Sequence, residues 1–304
     1  MNLHTLVETA KDKDNFLSIA HYVEFCLRFL EFVETGLQAT IVSQNENHYR
    51  FWQYRQDGHF NISRPLNSQL LYTREAANVI EKEFPALLKN ARDIPTADNA
   101  ARQKLVRSVY TIQETIGCAL DALPAGDSNR ARKINGDLFE RLIQLVLREV
   151  GLECSSGTVQ VPVIVDGETL FNMAYQHDLL VTVDGELRVI GSVKTSSKDR
   201  IDKIFLDKFL YSRLTNTALP HIAVFLNDVQ RRRTARPNEY GINATFLPGH
   251  FKGFTVKLNA LDGVYYCDIR PNMLADELLR EQIRTLDHLL CDDIWKFVMP
   301  DRST

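Results

Sequence analysis

The fold is decided by residues 177–194, HDLLVTVDGELRVIGSVK. Two runs rich in β-branched and apolar residues flank Asp184-Gly185, a pair that favours a tight turn between antiparallel strands. We therefore predict two strands, over residues 175–183 and 186–195. Ser192 and Lys194 are two residues apart, so their side chains share one face of the second strand.

The position of Asp178 relative to Lys194 depends on the register of this hairpin. With the turn centred on residues 184–185, Asp178 lies beside Gly191 or Ser192. A strict two-residue turn places Asp178 and Lys194 on opposite faces, whereas a three-residue loop or a β-bulge places them on the same face. We predict that one of these two devices is present.

Helical and strand patterns alternate along the rest of the chain. Helices are predicted over residues 16–34, 73–92, 98–122, 130–150, 200–214, 274–284 and 283–298. Strands are predicted over residues 158–165, 221–226, 251–258 and 263–269, with a hairpin over 48–64 that turns at Asp57-Gly58. This order predicts a mixed α/β (α+β) fold in which helices flank a central mixed β-sheet. A mostly helical region spans residues 1–125, and the mixed core spans 126–304.

Composition excludes several classes of protein. The 304 residues are 44% hydrophobic and 25% charged, as is usual for a globular chain. Five scattered cysteines without a CxxC pair argue against a disulfide framework or a zinc ribbon, and fit a reducing cytoplasm. No apolar run approaches the roughly 20 residues of a membrane span, and the first residues lack a signal-peptide core. We expect a soluble cytoplasmic protein without a membrane partner.

Positive charge is concentrated in one part of a chain whose net charge is -3. Residues 186–236 contain eleven basic and five acidic side chains, so the remainder is acidic. Arg231, Arg232 and Arg233 are candidate contacts to nucleic-acid phosphates, which position a protein without reading sequence. The alternative for each arginine is an ordinary solvated loop.

Acidic side chains are expected to surround Lys194. Asp178 on the adjacent strand, Glu140 in the preceding helix and Asp207, thirteen residues after Lys194, supply carboxylates of the kind that bind Mg²⁺. A bound metal and a lysine together suit phosphodiester hydrolysis, because both stabilise charge on the scissile phosphate. The alternatives are a solvated Asp178 and Lys194, or a Ser192–Lys194 dyad for acyl transfer that leaves the acids without a role.

Lys198, Asp199 and Arg200 begin the helix that follows Lys194. The start of a helix placed in the major groove presents its first side chains to base edges. Lysine and arginine donate to guanine O6 and N7, and aspartate accepts from cytosine N4, so the triplet can read neighbouring G·C pairs. The alternative is a solvated helix start with compensating charges.

The combined pattern resembles the PD-(D/E)xK nuclease superfamily, and within it the type II restriction endonucleases that cut CCGG- or CCNGG-containing sites. In that group serine replaces the middle acid, as Ser192 does before Lys194, and the missing carboxylate comes from the next helix, as Asp207 would supply it. Glu140 matches the acidic position of the preceding helix. The group usually has glutamate where Asp207 stands, and Asp202 is the substitute if Asp207 faces away. The resemblance covers about 70 of the 304 residues.

The resemblance implies a Mg²⁺-dependent homodimer that cleaves double-stranded DNA at a palindromic site with a CCNGG or CCGG core. It assigns Asp178, Asp207 and Glu140 to the metal, Lys194 to catalysis, Ser192 to the vacated acidic position, and Lys198, Asp199 and Arg200 to base recognition. A cognate methyltransferase is expected in the same system, although not as a binding partner.

Relatives that cut CCNGG flip out the central bases and fill the gap with an aromatic side chain. The predicted hairpin of residues 48–64 would then contact DNA, with Phe51 or Trp52 as the stacking wedge, and a core position is the alternative for Trp52. Two other functions remain open: a less specific repair or junction nuclease of the same fold, and a DNA-binding module without catalysis.

Overall fold

The computed structural model describes residues 2–56, 59–236 and 238–299, and the predicted turn at Asp57-Gly58 lies outside them. The α-helices are α1 (Leu3–Lys11), α2 (Ile19–Gly36), α3 (Phe84–Lys89), α4 (Asn99–Leu120), α5 (Ser128–Glu149), α6 (Ile201–Thr215), α7 (Pro248–Lys257), α8 (Glu277–Gln282), α9 (Leu286–His288) and α10 (Ile294–Val298). The strands are β1 (Ala39–Val42), β2 (Tyr49–Gln56), β3 (His59–Ile62), β4 (Leu66–Asn67), β5 (Glu153–Val165), β6 (Glu168–Val183), β7 (Glu186–Lys194), β8 (His221–Phe225), β9 (Val229–Arg233), β10 (Tyr240–Ala244), β11 (Gly263–Tyr266) and β12 (Ile283–Thr285).

The central sheet has six strands in the order β12-β11-β8-β7-β6-β5. Strands β5, β6 and β7 pair antiparallel, and β7, β8, β11 and β12 pair parallel. Helix α6 connects the parallel strands β7 and β8, which need such a crossover because a tight turn cannot join them. The predicted mixed sheet with flanking helices is therefore confirmed.

A β-bulge sets the register between β6 and β7. Val181 pairs with Val189, but Thr182 pairs with Leu187, so Arg188 is the extra residue. One of the two predicted features, a β-bulge, is therefore present. Continuing the register past the Leu179–Gly191 pair brings Asp178 opposite Ser192. Gly191 packs closely here: a Cβ at this position would lie 2.9 Å from Cδ1 and 3.1 Å from Cβ of Leu179, so a larger residue would force these side chains to shift.

Helices cover both faces of the central sheet. The largest hydrophobic cluster contains buried residues of the amino-terminal helices, of α5 and of one face of the central sheet, so it joins these elements. A second cluster packs α6 and α7 on residues of β8 and β11. Helix α5 buries Leu138, Leu142 and Val146 at helical spacing and ends where Gly151 adopts a φ of +100°. Of the helices described, none is long and apolar enough to cross a membrane.

Several sequence predictions differ from the structure. The strand predicted over 251–258 is helix α7, since Pro248 occupies its first turn and Phe251 and Phe254 point to the same cluster at a spacing of three. Pro85 likewise lies in the first turn of α3. In place of the single helix predicted over 73–92, the structure has turns, a π-helical segment at Val79–Glu83 and α3. Between the helices predicted over 274–284 and 283–298 the structure has β12, an edge strand parallel to β11.

Glu114, a buried acid on α4, predicts that the stability of the fold depends on pH. Burial raises the pKa of Glu114 to about 8, although the nearby Arg64 guanidinium opposes the shift. Above the ordinary value near 4.5 the unfolded chain loses this proton and the folded chain keeps it, so stability falls as the pH rises towards 8. We expect Glu114→Gln to leave the free energy of unfolding unchanged at pH 5 and to raise it at pH 8, measured by urea titration. An equal effect at both pH values would contradict the buried-proton assignment.

Candidate active site

Lys194 at the end of β7 contacts two carboxylates from two other elements. Its Nζ lies 2.6 Å from Asp178 Oδ2 on β6 and 2.7 Å from Glu140 Oε1 on α5. The backbone N–H of Val193 also donates to Asp178 Oδ2, at 2.8 Å. All three charged side chains are partly buried, so they form a cluster that is enclosed on one side and open to solvent on the other.

The local folding of each element explains why these side chains meet. The bulge at Arg188 turns Asp178 towards the face that carries Lys194. Leu138 and Leu142, on either side of Glu140 along α5, are fully buried and fix the helix against the sheet. A hydrogen bond also joins α5 to β6, because Gln144 Nε2 donates to the backbone carbonyl of Asp178 at 2.9 Å.

Burial and mutual contact shift the pKa values of Glu140 and Lys194. Burial and then the charge of Asp178 raise the pKa of Glu140, against the opposing effect of Lys194. Burial lowers the pKa of Lys194, but the two carboxylates outweigh it and the net shift is upward. Lys194 therefore stays an ammonium, and it contacts the carboxyl groups of both Asp178 and Glu140.

The structure does not bring Asp207 into contact with this cluster. Asp207 Oδ2 accepts from Lys203 Nζ at 2.6 Å, one turn earlier on α6, and Lys203 is 67% exposed. Burial lowers the pKa of His177, the residue before Asp178, to about 4, and the charge of Asp207 opposes this shift. Asp202 is exposed in the first turn of α6. Over the described ranges, no three His, Cys, Asp or Glu side chains are arranged to hold a metal ion.

The remaining members of the sequence motif lie on either side of Lys194. Ser192 is half-buried on β7, beside Ala223 of β8. Lys198, Asp199 and Arg200 are all exposed at the start of α6, which begins at Ile201 with Arg200 as its cap residue. Asp199 has a φ of +56°, a left-handed conformation that costs energy in a non-glycine residue and often marks functional turns.

The structure buries both candidates for the stacking wedge. Phe51 is completely buried and its ring centre lies 5.6 Å from that of Tyr240. Trp52 is 6% exposed, with its ring 6.1 Å from Phe29. A ring in this position can stack on an extruded base only by leaving its core, so both residues are core residues, which for Trp52 was the alternative interpretation.

The three consecutive arginines of β9 differ in their surroundings. Arg231 donates to the backbone carbonyls of Ile62 and Ser63 and lies over the ring of Tyr240. These contacts tie β9 to β3, and the assignment of Arg231 as a phosphate contact stays a prediction. Arg232 and Arg233 are exposed and remain candidates for that contact. Sequence reasoning missed β9 itself, because a run of arginines gives no strand signal.

Comparison with known proteins supports the fold. No family model matches the chain, and no curated protein matches it. The chain has the fold of a restriction endonuclease: its structure superimposes with a TM-score of 0.73 on a solved type IIP enzyme, with 16% identity over 99% of both chains. That enzyme is Kpn2I. Restriction endonuclease PspGI, solved with substrate DNA, gives a TM-score of 0.41 and 12% identity over 73% of this chain and 92% of its own.

Proposed function

We propose that this protein is a Mg²⁺-dependent type II restriction endonuclease of the PD-(D/E)xK superfamily that cuts double-stranded DNA at a palindromic CCNGG or CCGG core. The observation that supports it most is the contact of Lys194 with both Asp178 and Glu140. A lysine held by two acids at a strand end, with an exposed basic-acidic-basic triplet four residues later, is the arrangement this reaction needs.

The donor set fits a hard divalent cation. Asp178 and Glu140 present carboxylate oxygens, and Mg²⁺ commonly binds one or two carboxylates together with waters and substrate phosphate. Asp207 is proposed as a further ligand, because breaking its ion pair to the exposed Lys203 costs at most about 1 kcal/mol. When bound, the metal supplies charge neutralisation and a water of lowered pKa.

Each residue of the chain then has a defined role. Lys194 places an ammonium beside the scissile phosphate, where it stabilises the charge that develops in the transition state. Ser192 fills the vacated acidic position on the same strand face. Lys198, Asp199 and Arg200 read G·C pairs, and Arg232 and Arg233 contact phosphates.

The assembly follows from the symmetry of the target. A palindromic DNA site presents the same half-site twice, so a homodimer that shares its two-fold axis reads both halves. A methyltransferase that protects the same site would belong to the same system without binding this protein.

Digestion of an unmodified phage genome with Mg²⁺, followed by sequencing of the new ends, tests the proposed function directly. We expect one recurrent palindromic sequence around a fixed cut position. Ends scattered over many sequences would favour the less specific repair or junction nuclease, and selective binding without any cleavage would favour a DNA-binding module.

Two matched variants on α6 identify which residue, Asp207 or Asp202, supplies the carboxylate that Ser192 lacks. We expect Asp207→Asn to lower the cleavage rate by at least about 100-fold, because a metal ligand is lost, and to raise the Mg²⁺ concentration needed for half-maximal rate. Asp202→Asn, which changes the same residue type one and a half turns earlier, should alter the rate by less than about threefold. The reverse order of effects would assign the role to Asp202.

A further inference from the structure

Asp228, immediately before β9, is a completely buried carboxylate that has no role in the site described so far. It accepts hydrogen bonds from five donors. Its Oδ1 accepts from Ser196 Oγ at 2.7 Å, from the backbone N–H of Ser197 at 3.0 Å and from Thr245 Oγ1 at 3.0 Å. Its Oδ2 accepts from Ser197 Oγ at 2.5 Å and from Tyr266 Oη at 2.7 Å. Such a carboxylate fixes the position of every group that donates to it.

Three of the five donors belong to Ser196 and Ser197, the residues directly before the recognition triplet. The next turn is built on the same two residues. The backbone carbonyl of Ser197 accepts from the N–H groups of Arg200 and Ile201, at 3.0 and 3.1 Å, and Ser196 Oγ accepts from the N–H of Lys198 at 3.2 Å. The path of residues 198–201 is therefore set by the two serines that Asp228 holds.

The turn needs such an anchor. Asp199 has a left-handed conformation, which aspartate tolerates better than most residues but which is still less favourable than a right-handed one, so fixed hydrogen-bond partners help to hold it. The triplet itself is exposed and receives little packing from the core. Strand β9, which starts one residue after Asp228, adds a second constraint, because Gln230 Oε1 accepts from Lys198 Nζ at 3.0 Å.

We propose that Asp228 is a positioning residue for DNA sequence selectivity, acting through Ser196 and Ser197 on the geometry of residues 198–200. The inference rests on the proposed function, since it assumes that the triplet reads bases. It adds a buried residue from the connection between β8 and β9, which acts through Ser196 and Ser197. Reading base edges demands side chains held within a fraction of an ångström, and a loosened turn loses selectivity before it loses affinity.

Two matched variants separate positioning from a merely structural role. Ser197→Ala and Tyr266→Phe each remove one hydroxyl that donates to the same oxygen, Asp228 Oδ2, but only Ser197 lies in the turn. Each loses one buried hydrogen bond, so their melting temperatures should fall to similar extents. Asp228→Ala removes all five bonds at once and is informative only as a third variant if it folds.

Two readouts are measured on each variant. The first is amide hydrogen exchange at Arg200 and Ile201 in the free protein. The second is digestion of unmodified phage DNA with end sequencing, scored as the ratio of cuts at the main site to cuts at sites differing by one base pair. We expect Ser197→Ala to accelerate exchange at both amides by at least about tenfold and to lower the cleavage ratio by a similar factor. Tyr266→Phe should change each quantity by less than about twofold.

Equal effects of the two variants on exchange, or an unchanged cleavage ratio in Ser197→Ala, would overturn the positioning role. Random cutting by the unmutated protein would instead overturn the proposed function. The exchange rates, which need no DNA, still decide in that case whether Asp228 anchors the turn.

Discussion

Lys194→Ala is expected to abolish DNA cleavage while leaving the protein folded and able to bind DNA. Removing one group that stabilises the charge of a transition state typically lowers a rate by about 10²–10³-fold. The loss should be larger here, because the substitution also leaves Asp178 and Glu140 without the ammonium that they share. The measurement is the single-turnover cleavage rate at saturating protein, which separates the chemical step from DNA binding.

The matched control for this variant is Lys104→Ala. Lys104 also forms an ion pair with a glutamate, at 2.6 Å from Glu83, but the pair lies in the amino-terminal region and is exposed. An exposed ion pair contributes little to stability, and this one makes no contact with Lys194, Asp178 or Glu140, so the variant should cleave at the unmutated rate. Cleavage by Lys194→Ala at the rate of the control would show that the active site lies elsewhere.

The second large effect is expected for Arg200→Ala, which should remove sequence selectivity and spare non-specific affinity. A bidentate contact to guanine is worth about 1–3 kcal/mol of discrimination, and a homodimer loses one contact in each half-site. The free energy that separates specific from non-specific binding should therefore fall by about 2–6 kcal/mol. Competition titrations with site-containing and site-free duplexes at two salt concentrations measure both quantities.

Arg213→Ala provides the control on the same helix. Arg213 lies in the last turn of α6, with its guanidinium over the Phe209 ring, so the variant removes the same charge far from the recognition turn. It should leave selectivity intact and reduce only the salt-dependent component of affinity, if it changes binding at all. If Arg200→Ala lowered the affinity for site-containing and site-free duplexes equally, Arg200 would be a phosphate contact and not a base-reading residue.

The sequence predicted most of the central sheet because its strands carry strong local signals. Strands β6, β7 and β8 are rich in β-branched residues, and Asp184-Gly185 joins the first two. The prediction failed for several other elements. Helix α7 was predicted as a strand, and α1 was missed although Leu3, Leu6, Val7 and Ala10 follow a helical spacing.

The convergence of Asp178, Lys194 and Glu140 was predictable only in part. The two-residue spacing of Ser192 and Lys194 fixes their common face from sequence alone. The side on which Asp178 lies depends on whether a bulge is present, and no local rule places it at Arg188. The pairing of Asp207 with Lys203 follows the i,i+4 spacing on a helix, but the sequence does not decide whether Asp207 turns to Lys203 or to the acids around Lys194.

By itself the sequence determined the residue types and spacings of the motif, because these depend only on strand and helix periodicity. The tertiary structure decided which of those residues meet. It buried Phe51 and Trp52, engaged Arg231 in the fold, and brought Asp228, in the connection between β8 and β9, into hydrogen-bond contact with Ser196 and Ser197. The physical reason is that burial and hydrogen-bond pairing are set by contacts between elements far apart in the chain, which periodicity within one element does not encode.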